Sequence, residues 1–474
     1  MKPSRFRLPL VLTAAFVAVA ACGGRSDLDP LPFISGDGEG GTNDGGSSGE
    51  GGSSTSTGIS PMTTGVTSST GTGGAPPLCE PPVVAWSQYV EDLGHVFDPA
   101  SATDDDQNVF LFAAYEAPIE HGMVLQKIDP CGNVLFSRAM PDARPGTAVG
   151  GVFSQGRAIF GGEGVVLAFE PDGDPLWARS FEGATIYALA EHDGHVYVTG
   201  GFSGTVAFGT DLRTAMGGDD IFILRLDAAG GVDWVQTFGS VVEEQGAAIA
   251  VGATGNLCVG TRGGGSIQWG TMSGTSSAAI LQLSGDTGEV RSAISTPDAE
   301  TYAMTTIGED CLAVGGYTVT LWLGPVALPT AVDGWNGFAA RVGPLAQVVW
   351  ARPFGPDFGM PRTIVVDEAT DTVLIGGSLH GAWTFEDASV LGTEITKANS
   401  LFVLGLGQAD GGYVWGRTFE GAIFHRTEEI HPMGDGAVIL TGTFEGPGLD
   451  FGQGALGEGA PNSVFVARMD VPTP

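Results

Sequence analysis

A short apolar strand, in most copies ending in glycine, recurs along this chain, and that repeat constrains the fold more than any other feature. Copies lie at 109–113, 158–162, 196–202, 257–260, 312–317, 373–377 and 438–442. Between them runs a second landmark, a hairpin. The strand at 220–227 meets the turn 228–231 and then Val232-Asp233-Trp234-Val235-Gln236-Thr237-Phe238. Alternating apolar residues on either side of a glycine turn read as paired antiparallel strands. The hairpin returns at 165–181, 337–354 and 401–419, with weaker copies at 123–138 and 279–293 where Phe136 and Arg291 replace the tryptophan. A further apolar strand precedes each glycine-ended one, as at 186–190, 247–251 and 362–366.

Each unit therefore holds four strands, A to D, and returns every ~55 residues with no helical periodicity. Seven such units predict an all-β chain: a seven-bladed β-propeller of four-stranded antiparallel blades, whose radial packing hides most sheet edges. The last C strand (464–469) has no D strand after it, and the first D strand (83–89) has no C strand before it. Pairing of these N- and C-terminal strands is expected to close the ring. Trp86, Trp177, Trp234, Trp350 and Trp415 hold one place in the D strand, which points to packing between blades rather than to stacking on a sugar.

Three segments are expected: a leader at 1–21, a tether at 22–80 and the propeller at 81–474. Lys2, Arg5 and Arg7 precede an apolar run from Leu8 to Ala21, too short to span a bilayer as a helix. The sequence Val19-Ala20-Ala21-Cys22 resembles the lipobox of bacterial lipoproteins. That resemblance implies lipidation of Cys22, cleavage before it and anchoring to a membrane. Gly23 in place of an Asp points to an outer-membrane lipoprotein, surface-exposed or periplasmic. The Gly-, Ser- and Thr-rich stretch that follows lacks the apolar surface needed to order itself.

The propeller units resemble the bacterial surface β-propeller (SBBP) repeat, Asp-Ala-Phe-Val-x-Lys-Leu before a glycine turn. The nearest copy is 220–227, with Arg225 in the Lys place. They also resemble the quinoprotein-like repeat, closest at 283–289. These resemblances imply the fold. No position matches the quinone cofactor's calcium ligands or base, and no cofactor is expected.

The formal charge of −34 lacks the basic footprint that nucleic-acid binding by counterion release requires. Of seven histidines, His192 and His195 flank a turn and His425 and His431 straddle a loop and a strand; these read as solvated, with no metal expected. Acidic runs lie at 104–106, 243–244 and 428–429, and the first, which fits a calcium loop only loosely, reads as a solvated turn. Serine nucleophiles lack an elbow context, and Glu420 with Asp357 would serve a glycosidase only if folding joined them. Cys79, Cys131, Cys258 and Cys311 permit three complete pairings.

In an up-and-down blade, D–A and B–C connections share one face. The B–C connections are short in the first two units and long in the later five, where they carry strand-like insertions at 206–209, 267–270 and 449–452. Varied loops on a rigid scaffold are where binding concentrates. The candidate binding face gathers Asp92, His95, Asp142, Glu243, Glu244, Asp298, Asp357, Phe358, Glu420 and Phe424. The expectation is a monomeric, non-catalytic adhesion or scaffold propeller binding a protein or glycan. Alternatives are a periplasmic outer-membrane assembly scaffold and a propeller hydrolase or lyase.

Overall fold

The chain is described by a computed structural model over residues 85–90, 95–117, 120–141, 149–270, 276, 278–331, 335–355, 359–385, 389–392, 399–419, 424–446, 448–456 and 463–472. The leader, Cys22, Cys79 and the tether lie outside the described residues. Within them there is no helix, and seven four-stranded antiparallel sheets follow one another around a ring. Blades 1 to 7 begin on the A strands His95–Thr103, Val149–Ser154, Ala184–His192, Glu244–Val251, Ala299–Ile307, Gly359–Asp367 and Phe424–Pro432. Successive A strands pack beside one another, so they form the inner wall.

The ring closes as the terminal strands predict. Blade 7 takes its D strand from the other end of the chain: Trp86 pairs with Arg468 and Tyr89 with Phe465 in an antiparallel ladder. The Val90 amide adds a bond to the Val464 carbonyl at 3.1 Å.

The core is seven apolar layers, one at each blade junction. Alternate residues of a B strand feed different layers. Cys311 and Ala313 face blade 4, whereas Leu312 and Val314 face blade 6. A strand buried on both faces has no polar side, which is why these segments read as unbroken apolar runs.

Two buckles on the D strand recur at most blade junctions. At one end sits the repeated tryptophan. Trp86, Trp234 and Trp350 donate their indole N–H to carbonyls of the following blade's C–D turn: Pro130 at 3.0 Å, Gly285 at 3.1 Å and Gln408 at 3.1 Å. The turn glycines Gly132, Gly288 and Gly411 have φ of +87°, +68° and +68°, and the ring lies where their Cβ would be. Phe136 packs on Gly173 in the same way. Trp415 differs, because blade 7 has no C–D turn; its indole covers Gly405 of its own blade.

Four residues further on, and so on the same face of the strand, the D strand presents a second ring to the next blade's B–C insertion. Phe181 meets Phe208 at 5.5 Å, Phe238 meets Trp269 at 5.3 Å, Phe354 meets Trp383 at 5.0 Å and Phe419 meets Phe451 at 4.8 Å. Four insertions form small hairpins, at Thr205–Thr214, 322–327, 382–392 and 449–456. The sequence reading placed these insertions on the binding face; their buried rings also make them wedges between blades.

Candidate functional site

Every A strand carries a β-bulge near its D–A end. The ladder to strand B skips between Phe97 and Ala100, Val149 and Gly151, Ile186 and Ala188, Gly246 and Ala248, Thr301 and Ala303, Pro361 and Thr363, and Thr427 and Glu429. A bulge bends its strand and re-aims a side chain. Repeated around the ring, it turns Pro99, Gly150, Tyr187, Ala247, Tyr302, Arg362 and Glu428 onto the axis, where all seven line one cavity of about 360 Å³.

The recurrent glycine of strand B belongs to this device. Gly200, Gly315, Gly377 and Gly442 lie opposite the last residue before the bulge in blades 3, 5, 6 and 7. A Cβ on any of them would collide with the carbonyl oxygen of Thr185, Glu300, Met360 or Arg426 respectively.

The cavity is cationic on one side, in an otherwise acidic chain. Arg262 leaves strand B of blade 4; its Nε donates to Gln245 Oε1 at 2.9 Å, and its guanidinium lies 4.8 Å from the centre of the Tyr187 ring. Arg362 lies 5.4 Å from the centre of the Tyr302 ring, which stacks at 6.5 Å on Trp335. Burial, with Glu300 beside it, pushes the Tyr302 phenol well above its usual range. Arg426 pairs with Glu428. Because Gln245 is the second residue of its A strand, Arg262 sits toward the D–A and B–C mouth of the cavity.

Across the ring the carboxylate of Glu429 accepts from the Ser101 amide and hydroxyl, joining blades 7 and 1. His431 Nε2 lies 2.7 Å from Ser101 Oγ, and Thr441 Oγ1 lies 2.9 Å from it. This is not a nucleophilic triad. In a triad the carboxylate holds the far ring nitrogen, whereas Glu429 faces the same Nε2 at 3.6 Å, and Ser101 is fully buried. The acidic run 428–429 is thus part of the inner wall, because the chain places it on an A strand.

His425, expected to be solvated, is fully buried beside this wall. Desolvation holds its imidazole pKa down to about 4. Folding therefore favours the neutral ring, a contribution present above the ordinary value near 6.5 and lost as pH falls toward 4. That depression amounts to roughly 3 kcal/mol. Denaturant midpoints should fall between pH 7 and 4.5 in the native chain, and His425→Gln should flatten that slope. Parallel pH profiles would refute it.

Of the proposed face, Asp92, Asp142, Asp357, Phe358 and Glu420 lie outside the described residues, as does the Glu420–Asp357 pairing. Phe424 opens the A strand of blade 7. His95 and Glu243 are exposed, as is Asp298, which has a φ of +62°. Glu244 is withdrawn from the face: fully buried, it clamps its own loop by accepting from the Ser240 amide at 2.9 Å and from the Ser240 hydroxyl. Asp104 closes a turn through Asn108 and pairs with Lys127 at 2.9 Å. Among the described residues no group of three or more His, Cys, Asp or Glu could hold a metal. Sequence reading missed Arg262, Arg362, Tyr187 and Tyr302. Their only signal was a polar residue where an inner strand should be apolar.

Fold and cavity together define a seven-bladed β-propeller with an Arg- and Tyr-lined axial site. No protein-family model and no curated protein matches the sequence. Among solved structures the chain is similar to the quinohemoprotein alcohol dehydrogenase of Comamonas testosteroni, at 13% identity and a TM-score of 0.43, over 82% of this chain and 77% of that one. It is similar to the Pan2 WD40 domain of Neurospora crassa, at 12% identity and a TM-score of 0.43, over 79% and 89%. It is also similar to BamB from Moraxella catarrhalis, at 12% identity and a TM-score of 0.37, over 77% and 81%. Likeness of this extent assigns no activity.

Proposed function

We propose that this chain is a lipid-anchored, extracytoplasmic propeller that docks a protein partner on its D–A and B–C face and catalyses no reaction. The observation that carries this reading is apolar exposure. Met216 (70%), Val241 (82%), Val242 and Val319 stand exposed on the D–A and B–C connections of blades 3 to 5. The chain at Gly217 abuts Ser240 and Val241, so Met216 and Val241 share a patch. Exposed apolar clusters mark interaction sites, and Met is enriched where proteins meet. Apolar character favours a protein over a glycan.

The anchor rests on Cys22 and its lipobox, and the oxidising compartment is supported by a buried disulfide, Cys258–Cys311. The non-catalytic reading is supported by the engagement of both cavity carboxylates, Glu428 with Arg426 and Glu429 with Ser101.

The test is cross-linking in intact cells. The full chain should capture a partner that Met216→Asp with Val241→Asp loses, with melting unchanged. Capture equal in both would refute the face. Protease shaving of whole cells then separates surface display from a periplasmic scaffold, since only a periplasmic domain is protected.

A further inference from the structure

We propose that the axial cavity is a binding site for a small organic oxyanion, a carboxylate or phosphate group held between Arg262 and Arg362. The cavity is distinct from the apolar face that docks a partner. Of 20 Lys and Arg residues three precede the leader's apolar run, and of the other 17 (20 − 3) three converge here. Only Arg426 is neutralised, by Glu428.

Among the described residues neither Arg262 nor Arg362 has a carboxylate within 4.0 Å, and Arg362 has no hydrogen-bond acceptor. Guanidiniums stay charged at any working pH, so two of them lining one cavity repel unless an anion lies between them. Both arginines line the one cavity, Arg262 over the Tyr187 ring and Arg362 over the Tyr302 ring. Glu300 is not among the residues lining the cavity.

The site is also pre-organised. Tyr187 backs Arg262, Gln245 fixes its Nε, and Tyr302, itself stacked on Trp335, backs Arg362. Held planar on aromatic faces, the forks keep their remaining N–H donors for a ligand, the arrangement that suits bidentate recognition of carboxylate or phosphate. The volume of about 360 Å³ is at the small end of ligand pockets. It suits a metabolite-sized acid and not a polymer.

The experiment titrates the purified full chain calorimetrically with inorganic phosphate and with citrate, balanced with chloride to constant ionic strength. Saturable binding of at least one probe is expected, weakened about tenfold or more by Arg362→Gln and by Arg262→Gln. Arg138→Gln, on the exposed outer rim, should bind as the native chain does. Arg362→Lys keeps the charge without the planar fork and should fall between. Melting curves establish that each variant is folded. Preference for one probe assigns the oxyanion and supports the site. Absence of saturable binding with both probes, or binding that survives both Gln substitutions, overturns it.

Discussion

Deleting residues 463–474 is expected to abolish cooperative melting of the whole propeller, not merely of blade 7. Val464, Phe465, Val466 and Met469 are all at most 2% exposed, wedged between Ala437–Glu445 and the N-terminal strand Trp86–Tyr89. At about 1.5–3 kcal/mol for each buried side chain, the four are worth roughly 6–12 kcal/mol. A typical domain has only about 5–15 kcal/mol in total. The loss also leaves Trp86–Tyr89 without a ladder and opens two sheet edges, and the Ser463 hydroxyl bond to the Val90 carbonyl at 3.2 Å goes with it. Calorimetry would show the parent's transition missing. A truncated chain that melts as the parent does would mean the ring is held shut elsewhere. Phe465→Ala, costing about 3–5 kcal/mol, should lower the transition while keeping it cooperative.

Replacing both Cys258 and Cys311 by Ala is expected to destabilise the chain by about 2–4 kcal/mol. The two cysteines sit on the B strands of blades 4 and 5, with Cα atoms 5.6 Å apart and a sequence separation of 53. Their bond ties neighbouring blades within one apolar layer, beside Ile280 and Phe338. In the unfolded chain it closes a loop of that length, whose lost entropy is the larger part of the effect in the chain-entropy account. Cys131 is disulfide-bonded as well, so reductant alone would report on both bonds. The paired substitution isolates this one, and equal denaturant midpoints for variant and parent would refute its role.

The blade count was legible because each blade repeats the same local instructions. The Trp of strand D and the glycine of the next C–D turn recur as a pair from blade to blade, and both halves of that buckle appear in the chain text as Trp234 and Gly288 or Trp350 and Gly411. Closure was legible for a related reason: one strand too few at each end leaves one solution. The insertions were legible as strands but not as wedges. Whether the ring of Phe208 or Trp383 faces solvent or a neighbouring blade depends on what lies across the gap.

The axial site lay beyond local pattern. Arg262 and Arg362 are 100 residues apart, and in sequence each is a lone cation at the end or start of an apolar strand. Periodicity, turn glycines and strand polarity act over a few residues, so the chain alone specified seven sheets, their order and their closing pair. The inner strand's bulge shifts alternation by one, sending Tyr187, Tyr302, Arg362 and Glu428 to the axis where a regular strand would have buried or hidden them. That register, and the convergence of strands from different blades on one axis, is a property of closed geometry; only the assembled ring decides which charges meet and which carboxylates are already engaged.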